Sequence, residues 1–137
     1  MKLTKSRIKH LIYEVTGAAI EVHREIGPGL LESVYQRCMA RELLLRGIAF
    51  SSEMSVPVNY KGVEIEAALR CDFFIENALV VELKAVETIL PVHEAQVLTY
   101  LKLLNVPKGI LLNFNVSNIA REGQRAFVTE GYRDLPW

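Results

Sequence analysis

Cysteine is scarce in this chain. The 137 residues hold two, Cys38 and Cys71, too few for a disulfide framework. Both sit in apolar patterns and read as small core residues. Long hydrophobic runs are missing too: no stretch reaches the ~18 apolar residues of a membrane-spanning helix. The opening MKLTKSRIKH lacks the apolar segment of a secretory signal. A reducing, cytoplasmic setting with no membrane partner is therefore expected. Nor is there an excess of charge, with sixteen Lys plus Arg against sixteen Asp plus Glu. Tight non-specific binders of duplex nucleic acid usually carry a basic surplus. Balance argues against that class but leaves room for a local strip. Lys2, Lys5, Arg7 and Lys9 form one, although a solvated helix start accounts for them equally well.

What is present is apolar and patterned. Half the residues are hydrophobic, which excludes a disordered chain. The length suits one domain, residues 1–137, able to bury about two-thirds of its unfolded surface without staples. Ile8, Leu11, Ile12, Val15, Ala18, Ala19, Val22 and Ile26 recur at helical spacing, which predicts a helix from Thr4 to about Glu25. Gly27-Pro28-Gly29 breaks it. A second helix is expected from about Leu30 to Arg46, with Leu31, Val34, Cys38, Leu43 and Leu45 among its apolar positions and Gly47 as its cap. A third is expected over about Val92–Leu104. Gly109 to Phe114 reads as a strand covered on both faces. A turn of helix near Val116–Glu122 and an edge strand at Gln124–Val128 close the pattern.

Between the second and third helices lies a strand-rich block, Phe50 to Ala85. Tyr60-Lys61-Gly62 looks like a tight turn, so three antiparallel strands in a meander are expected. The last hairpin is the most informative. Val63, Ile65, Ala67, Leu69, Cys71, Phe73 and Ile75 share one parity of its first strand, and Leu79, Val81, Leu83 and Ala85 one parity of its second. Matching these faces sets Phe73 against Val81 and Ile75 against Leu79, because a one-residue slip would reverse a whole strand. Asp72 then falls opposite Glu82, with Cβ atoms roughly 5 Å apart, and Lys84 shares their face. The loop must be odd, most simply Glu76-Asn77-Ala78, with Asn77 suited to a left-handed position.

Two carboxylates and an ammonium at the rim of a core are costly unless something uses them. Carboxylate oxygens suit Mg²⁺ or Mn²⁺, and such an ion activates water and stabilises phosphoryl charge. Lys84 would lie beside that water. An ion-pair ladder from Asp72 to Lys84 is the plain alternative. Elsewhere, Glu32 and Tyr35 share a face at the start of the second helix. A first-turn carboxylate is also favoured by the helix dipole alone, and a lone tyrosine suits a core. His93, Gln96 and Tyr100 form one stripe of the third helix. Gln96 with a hydroxyl partner could meet a phosphate or base edge. His93 suits a ligand contact or a helix cap. Glu53, Glu64 and Glu66 are expected on the exposed side of the sheet.

Taken together, Asp72, Glu82-Leu83-Lys84, upstream Glu32 and downstream Gln96-x-x-x-Tyr100 resemble the PD-(D/E)XK nuclease superfamily. G-L-L-E-S-V-Y at 29–35, V-V-E-L-K-A-V at 80–86 and H-E-A-Q-V-L-T-Y-L-K at 93–102 resemble its small GxxExxY family more closely. The resemblance implies an α/β, restriction-endonuclease-like core of helices, three-stranded antiparallel meander, helix and strand. It implies that Asp72 and Glu82 hold Mg²⁺ with the Leu83 carbonyl, that Glu32 completes the metal site, and that Lys84 is the catalytic lysine. It also implies nucleic-acid contacts from Gln96 and Tyr100, on the helix that carries His93. Tyr35, in the same motif as Glu32, and His93 are expected as nucleic-acid contacts as well. The superfamily's proline is absent, since Arg70-Cys71 precedes Asp72.

The function implied is Mg²⁺- or Mn²⁺-dependent hydrolysis of phosphodiester bonds, with DNA as partner, in repair or defence. A non-catalytic nucleic-acid-binding or protein-interaction module on the same fold is the alternative. Exposed edge strands would also suit a homodimer.

Overall fold

Thr4 starts the first helix. Its backbone is extended, and its hydroxyl accepts the Arg7 N–H at 3.1 Å, satisfying one orphan first-turn donor. α1 runs Lys5–Ile26 in the computed structural model, which describes residues 2–137; Met1 lies outside the described residues. Its buried stripe is Ile8, Leu11, Val15, Ala18, Ala19 and Val22. Gly27 ends it with φ of 68°, a left-handed value that costs glycine nothing.

α2 spans Glu32–Leu45. Its buried stripe is Tyr35, Met39 and Leu43, an i, i+4, i+8 row. This corrects the expected set, because Leu31 precedes the helix and is 75% exposed, and Leu45 is also exposed. Gly47, at φ of 70°, lets the chain fold back. Its N–H donates to the Leu44 carbonyl, and the Ile48 N–H to the Leu43 carbonyl, a Schellman ending.

β1 (Phe50–Ser55) is followed by β2 (Val58–Tyr60), β3 (Val63–Ile65), β4 (Arg70–Ile75) and β5 (Leu79–Lys84). The expected meander is corrected in one respect: no continuous strand runs from Val63 to Ile75. Ala68 sits at φ of 52° between β3 and β4. β2 and β3 pair only with each other, while β1 pairs antiparallel with β4. β4 and β5 pair antiparallel with Phe73 opposite Val81 and Ile75 opposite Leu79, the register the alternation requires. The Glu76-Asn77-Ala78 loop has two left-handed residues, Glu76 and Asn77.

α3 (Pro91–Leu104) then crosses over to β6 (Lys108–Asn113), which lies parallel to β5. After a π-helical turn at Ile119–Gly123, β7 (Gln124–Val128) pairs antiparallel with β6 at the sheet edge. A short α4 (Glu130–Arg133) follows. The five-stranded sheet has the order β1-β4-β5-β6-β7.

Helices cover both faces of this sheet. Leu11, Val15, Val22, Tyr35, Met39 and Leu43 pack with Phe73, Val81, Leu83, Ile110 and Leu112 on one side. Tyr100, Leu101 and Val106 pack with Val80 and Cys71 on the other. β5 is consequently buried on both faces. The rim position expected of Glu82 is corrected by this cover, since Glu82 is 3% exposed.

Candidate active site

Beyond the Phe73–Val81 pair the backbone ladder between β4 and β5 stops. Two side chains bridge the opening. The Asp72 N–H donates to Glu82 Oε1 at 2.8 Å, and the Leu83 N–H donates to Asp72 Oδ2 at 2.8 Å. Each carboxylate thus takes the place of a missing carbonyl on the opposite strand. The geometry is fixed by the strands, since neighbouring side chains alternate and only this register sets the two acids across from each other. Oδ1 of Asp72 and Oε2 of Glu82 receive no backbone donor, and a hydrogen bond between the two carboxyls also acts on Asp72.

The two acids strongly perturb each other. Burial, then the Asp72 charge, push the Glu82 carboxyl up to about 8, against the pull of the Asp72 N–H and Lys84. Burial also raises Asp72, partly offset by the Leu83 N–H and Lys84. Two buried carboxylates so close cannot both ionise without compensation. Glu32, at the first turn of α2, is raised as well: burial dominates, Lys84 lowers it and Asp72 raises it. Glu32, Asp72, Glu82 and Lys84 therefore feel one another across three elements. The Cys71 thiol next to Asp72 is pushed far up by burial and both acids, which makes it an unreactive core group.

Lys84 does not form the cross-strand ion pair: among the described residues, no ion pair involves it. Its Nζ donates to Gln96 Oε1 at 3.2 Å. Gln96 Nε2 donates to the Tyr100 hydroxyl at 3.1 Å, and that hydroxyl donates to the Arg70 carbonyl at 3.0 Å. A relay runs from the end of β5, through one face of α3, back to the start of β4. It orients the lysine and leaves its charge unneutralised.

Two tyrosines expected as nucleic-acid contacts are buried, although Tyr100 lines a groove beside Gln96. Tyr100 is 1% exposed and its hydroxyl is spent in the relay. Tyr35 is 0% exposed. Its hydroxyl donates to the Gly27 carbonyl at 2.6 Å and accepts the Leu30 N–H at 3.2 Å, while its ring stacks on Phe114 with centroids 4.5 Å apart. Tyr35 pins the loop between α1 and α2, and so sets where Glu32, one turn earlier, is delivered. His93 and Gln96 do face a surface groove, which Lys84, Leu69 and Thr99 share. The His93 Nδ1 also accepts the Leu90 N–H at 3.0 Å, the cap role open to a lone histidine.

Sequence reasoning missed Asn113. It is 3% exposed and ends β6 beside Lys84. Its Oδ1 accepts the Val86 N–H at 3.1 Å, and its Nδ2 donates to the Val86 carbonyl at 2.9 Å. The Phe114 N–H adds a bond to the Lys84 carbonyl at 2.8 Å. The segment carrying Lys84 is thereby clamped as it leaves the sheet. The available signal was a polar residue ending the apolar run Ile110-Leu111-Leu112.

The β4–β5 strands thus carry an open clasp of two acids, followed two residues later by an oriented lysine. The sequence model of the PD-(D/E)XK nuclease superfamily matches residues 9–126. The chain belongs to that superfamily. No curated protein and no solved structure matches it. Members of the PD-(D/E)XK superfamily typically use divalent metals. Among the described residues, no three His, Cys, Asp or Glu side chains are grouped to hold a metal ion. Glu32 acts on the acid pair through its charge but is not grouped with it here. Mg²⁺ needs no three-carboxylate cage. It is usually held by one or two carboxylates, with waters and substrate phosphate filling the remaining positions. The oxygens of Asp72 and Glu82 that no backbone donor reaches fit that demand.

Proposed function

We propose that this PD-(D/E)XK chain is a nuclease of the GxxExxY kind that hydrolyses phosphodiester bonds of DNA with Mg²⁺ or Mn²⁺. The observation that carries the reading is the reciprocal Asp72–Glu82 clasp, buried, short of positive charge, and adjacent to an unpaired lysine. A divalent cation bound there supplies a Lewis acid that neutralises phosphoryl oxygen and makes water a stronger nucleophile. Asp72 and Glu82 would hold it, with the Leu83 carbonyl as a further oxygen donor. Glu82 would give up its proton on binding, since a coordinating carboxylate must be ionised. Lys84, held by Gln96, would place a fixed positive charge beside the phosphoryl oxygens where negative charge develops, and a preorganised charge costs no reorganisation during the reaction. Gln96 and His93 border the groove along which a strand would approach.

The test is a panel of single- and double-stranded DNA and RNA incubated with Mg²⁺ or Mn²⁺. DNA should be cut. Asp72→Asn should abolish cutting, and Lys84→Ala should slow it by about 10²-fold or more. If wild type and both variants behave alike, the acids have no chemical task, and a non-catalytic nucleic-acid-binding or protein-interaction module takes the place of the nuclease.

A further inference from the structure

Beside the start of β5, positive charge and aromatic rings alternate in one surface patch. Lys9 Nζ lies 4.6 Å from the centroid of the Trp137 ring, and Lys5 Nζ lies 5.2 Å from the same centroid. Lys5 Nζ is also 5.7 Å from the Tyr132 ring, over which Lys108 Nζ sits at 4.6 Å. The order is Lys9, Trp137, Lys5, Tyr132, Lys108. Three ammonium groups from α1 and β6 are held by two rings from the segment after β7.

None of these lysines has an ion-pair partner among the described residues. Arg7, their neighbour on α1, is by contrast committed to Glu76. Lys5 spends one donor on the Arg133 carbonyl at 3.1 Å. Glu130 is the carboxylate that shares the depression between Lys5 and Tyr132. Lys108 is shifted downward by burial and then by the charge of Lys9, so the crowding of like charges is felt. The first N–H groups of α1 are not the attraction. Lys5 N–H donates to the Pro136 carbonyl at 2.8 Å and Ser6 N–H to the Trp137 oxygen at 3.4 Å. These bonds anchor the tail, so the rings are fixed in place. Trp137 remains 67% exposed.

We infer that this surface is a second binding site for a nucleic-acid strand, in which Lys5, Lys9 and Lys108 take phosphates and the exposed Trp137 ring takes a base. Fixed cations beside an exposed ring match what a single strand offers, a line of phosphates with unstacked bases. Lys108 pairs with Leu79 at the start of β5, while Lys84 ends that strand. Glu82 of the clasp lies three residues along β5 from that pair, about 10 Å. The patch therefore lies at the other end of β5 from Lys84 and holds the strand away from the cut. This inference rests on the proposed function only for the nature of the polyanion.

Trp137 is the chain's only tryptophan, so its emission reports on this surface. The full chain carrying Asp72→Asn, which leaves the strand uncut, is titrated with a thymidine oligonucleotide at low salt. Saturable quenching is expected. Lys5→Glu with Lys9→Glu should weaken binding at least tenfold and flatten the salt dependence by about one to two units of slope. Melting curves check folding, and Lys9→Gln with Lys108→Gln should repeat the loss at lower cost to the fold. Inorganic phosphate at equal ionic strength should leave the emission unchanged. Unchanged emission with oligonucleotide, or variants that bind like wild type, overturns the inference. So does quenching by inorganic phosphate alone, or a blue shift with anionic lipid vesicles in place of oligonucleotide. Wild type that quenches without ever cutting DNA would defeat the nuclease reading and leave this one standing.

Discussion

Asp72 and Glu82 each give one oxygen to the other strand's backbone and keep one that no backbone donor reaches. This exchange satisfies donors that the strand opening would otherwise leave orphaned, and it fixes both carboxylates in place. The supporting residues should show their worth separately. Tyr35→Phe leaves the Gly27 carbonyl and Leu30 N–H without their shared partner, and should cost about 1 kcal/mol in urea unfolding. It should also lower cleavage, because the loop that delivers Glu32 loosens. Asn113→Leu strips two bonds from the Val86 backbone and should cost about 2 kcal/mol. Its effect on rate should exceed that of a comparable core lesion distant from Lys84. Burial decided what the sequence could not show here. G-x-x-E-x-x-Y sets Glu32 and Tyr35 side by side, but nothing in the spacing tells that the tyrosine hydroxyl faces the Gly27 loop. Asn113 carried no motif at all.

At the level of elements, the β4–β5 hairpin was legible because parity and an odd loop leave one register. The break before it was not. Val63 to Ile75 alternates without interruption, and Ala68 is an unremarkable residue to find at positive φ. The structure turns there and projects β2–β3 as a hairpin outside both core clusters. Replacing residues 58–65 with a short glycine–serine linker should therefore change stability by less than about 1 kcal/mol, measured by urea unfolding. Gly123 is the opposite case. A Cβ there would sit 2.3 Å from the Asn113 carbonyl oxygen and 3.1 Å from side chains of Ile119 and Val116. Gly123→Ala should lose roughly 2–3 kcal/mol, since the turn before β7 would have to move off β6. α2 was misread because Leu31, Val34 and Leu45 are as apolar as the true stripe, and only packing separates them.

For the whole molecule, the acid pair links stability to pH and to cations. Glu82 titrates near 8 when folded against 4.5 for a free glutamate. A raised carboxyl binds its proton more tightly in the folded state. Its contribution is therefore full below about 4.5 and is lost as pH rises through about 8. In chelator, the chain should be more stable at pH 5 than at pH 9 by urea unfolding, and Glu82→Gln should flatten that slope. A bound cation favours the ionised pair and should reverse the trend. The fold around this site is a five-stranded α/β sheet with helices on both faces, consistent with a PD-(D/E)XK-like fold. The most direct measurement is a Mn²⁺ titration followed by thermal melting at neutral pH, wild type against Asp72→Asn. Wild type should gain a saturable rise in Tm that the variant lacks. Equal responses, or no response from wild type, would mean that the clasp does not hold a metal.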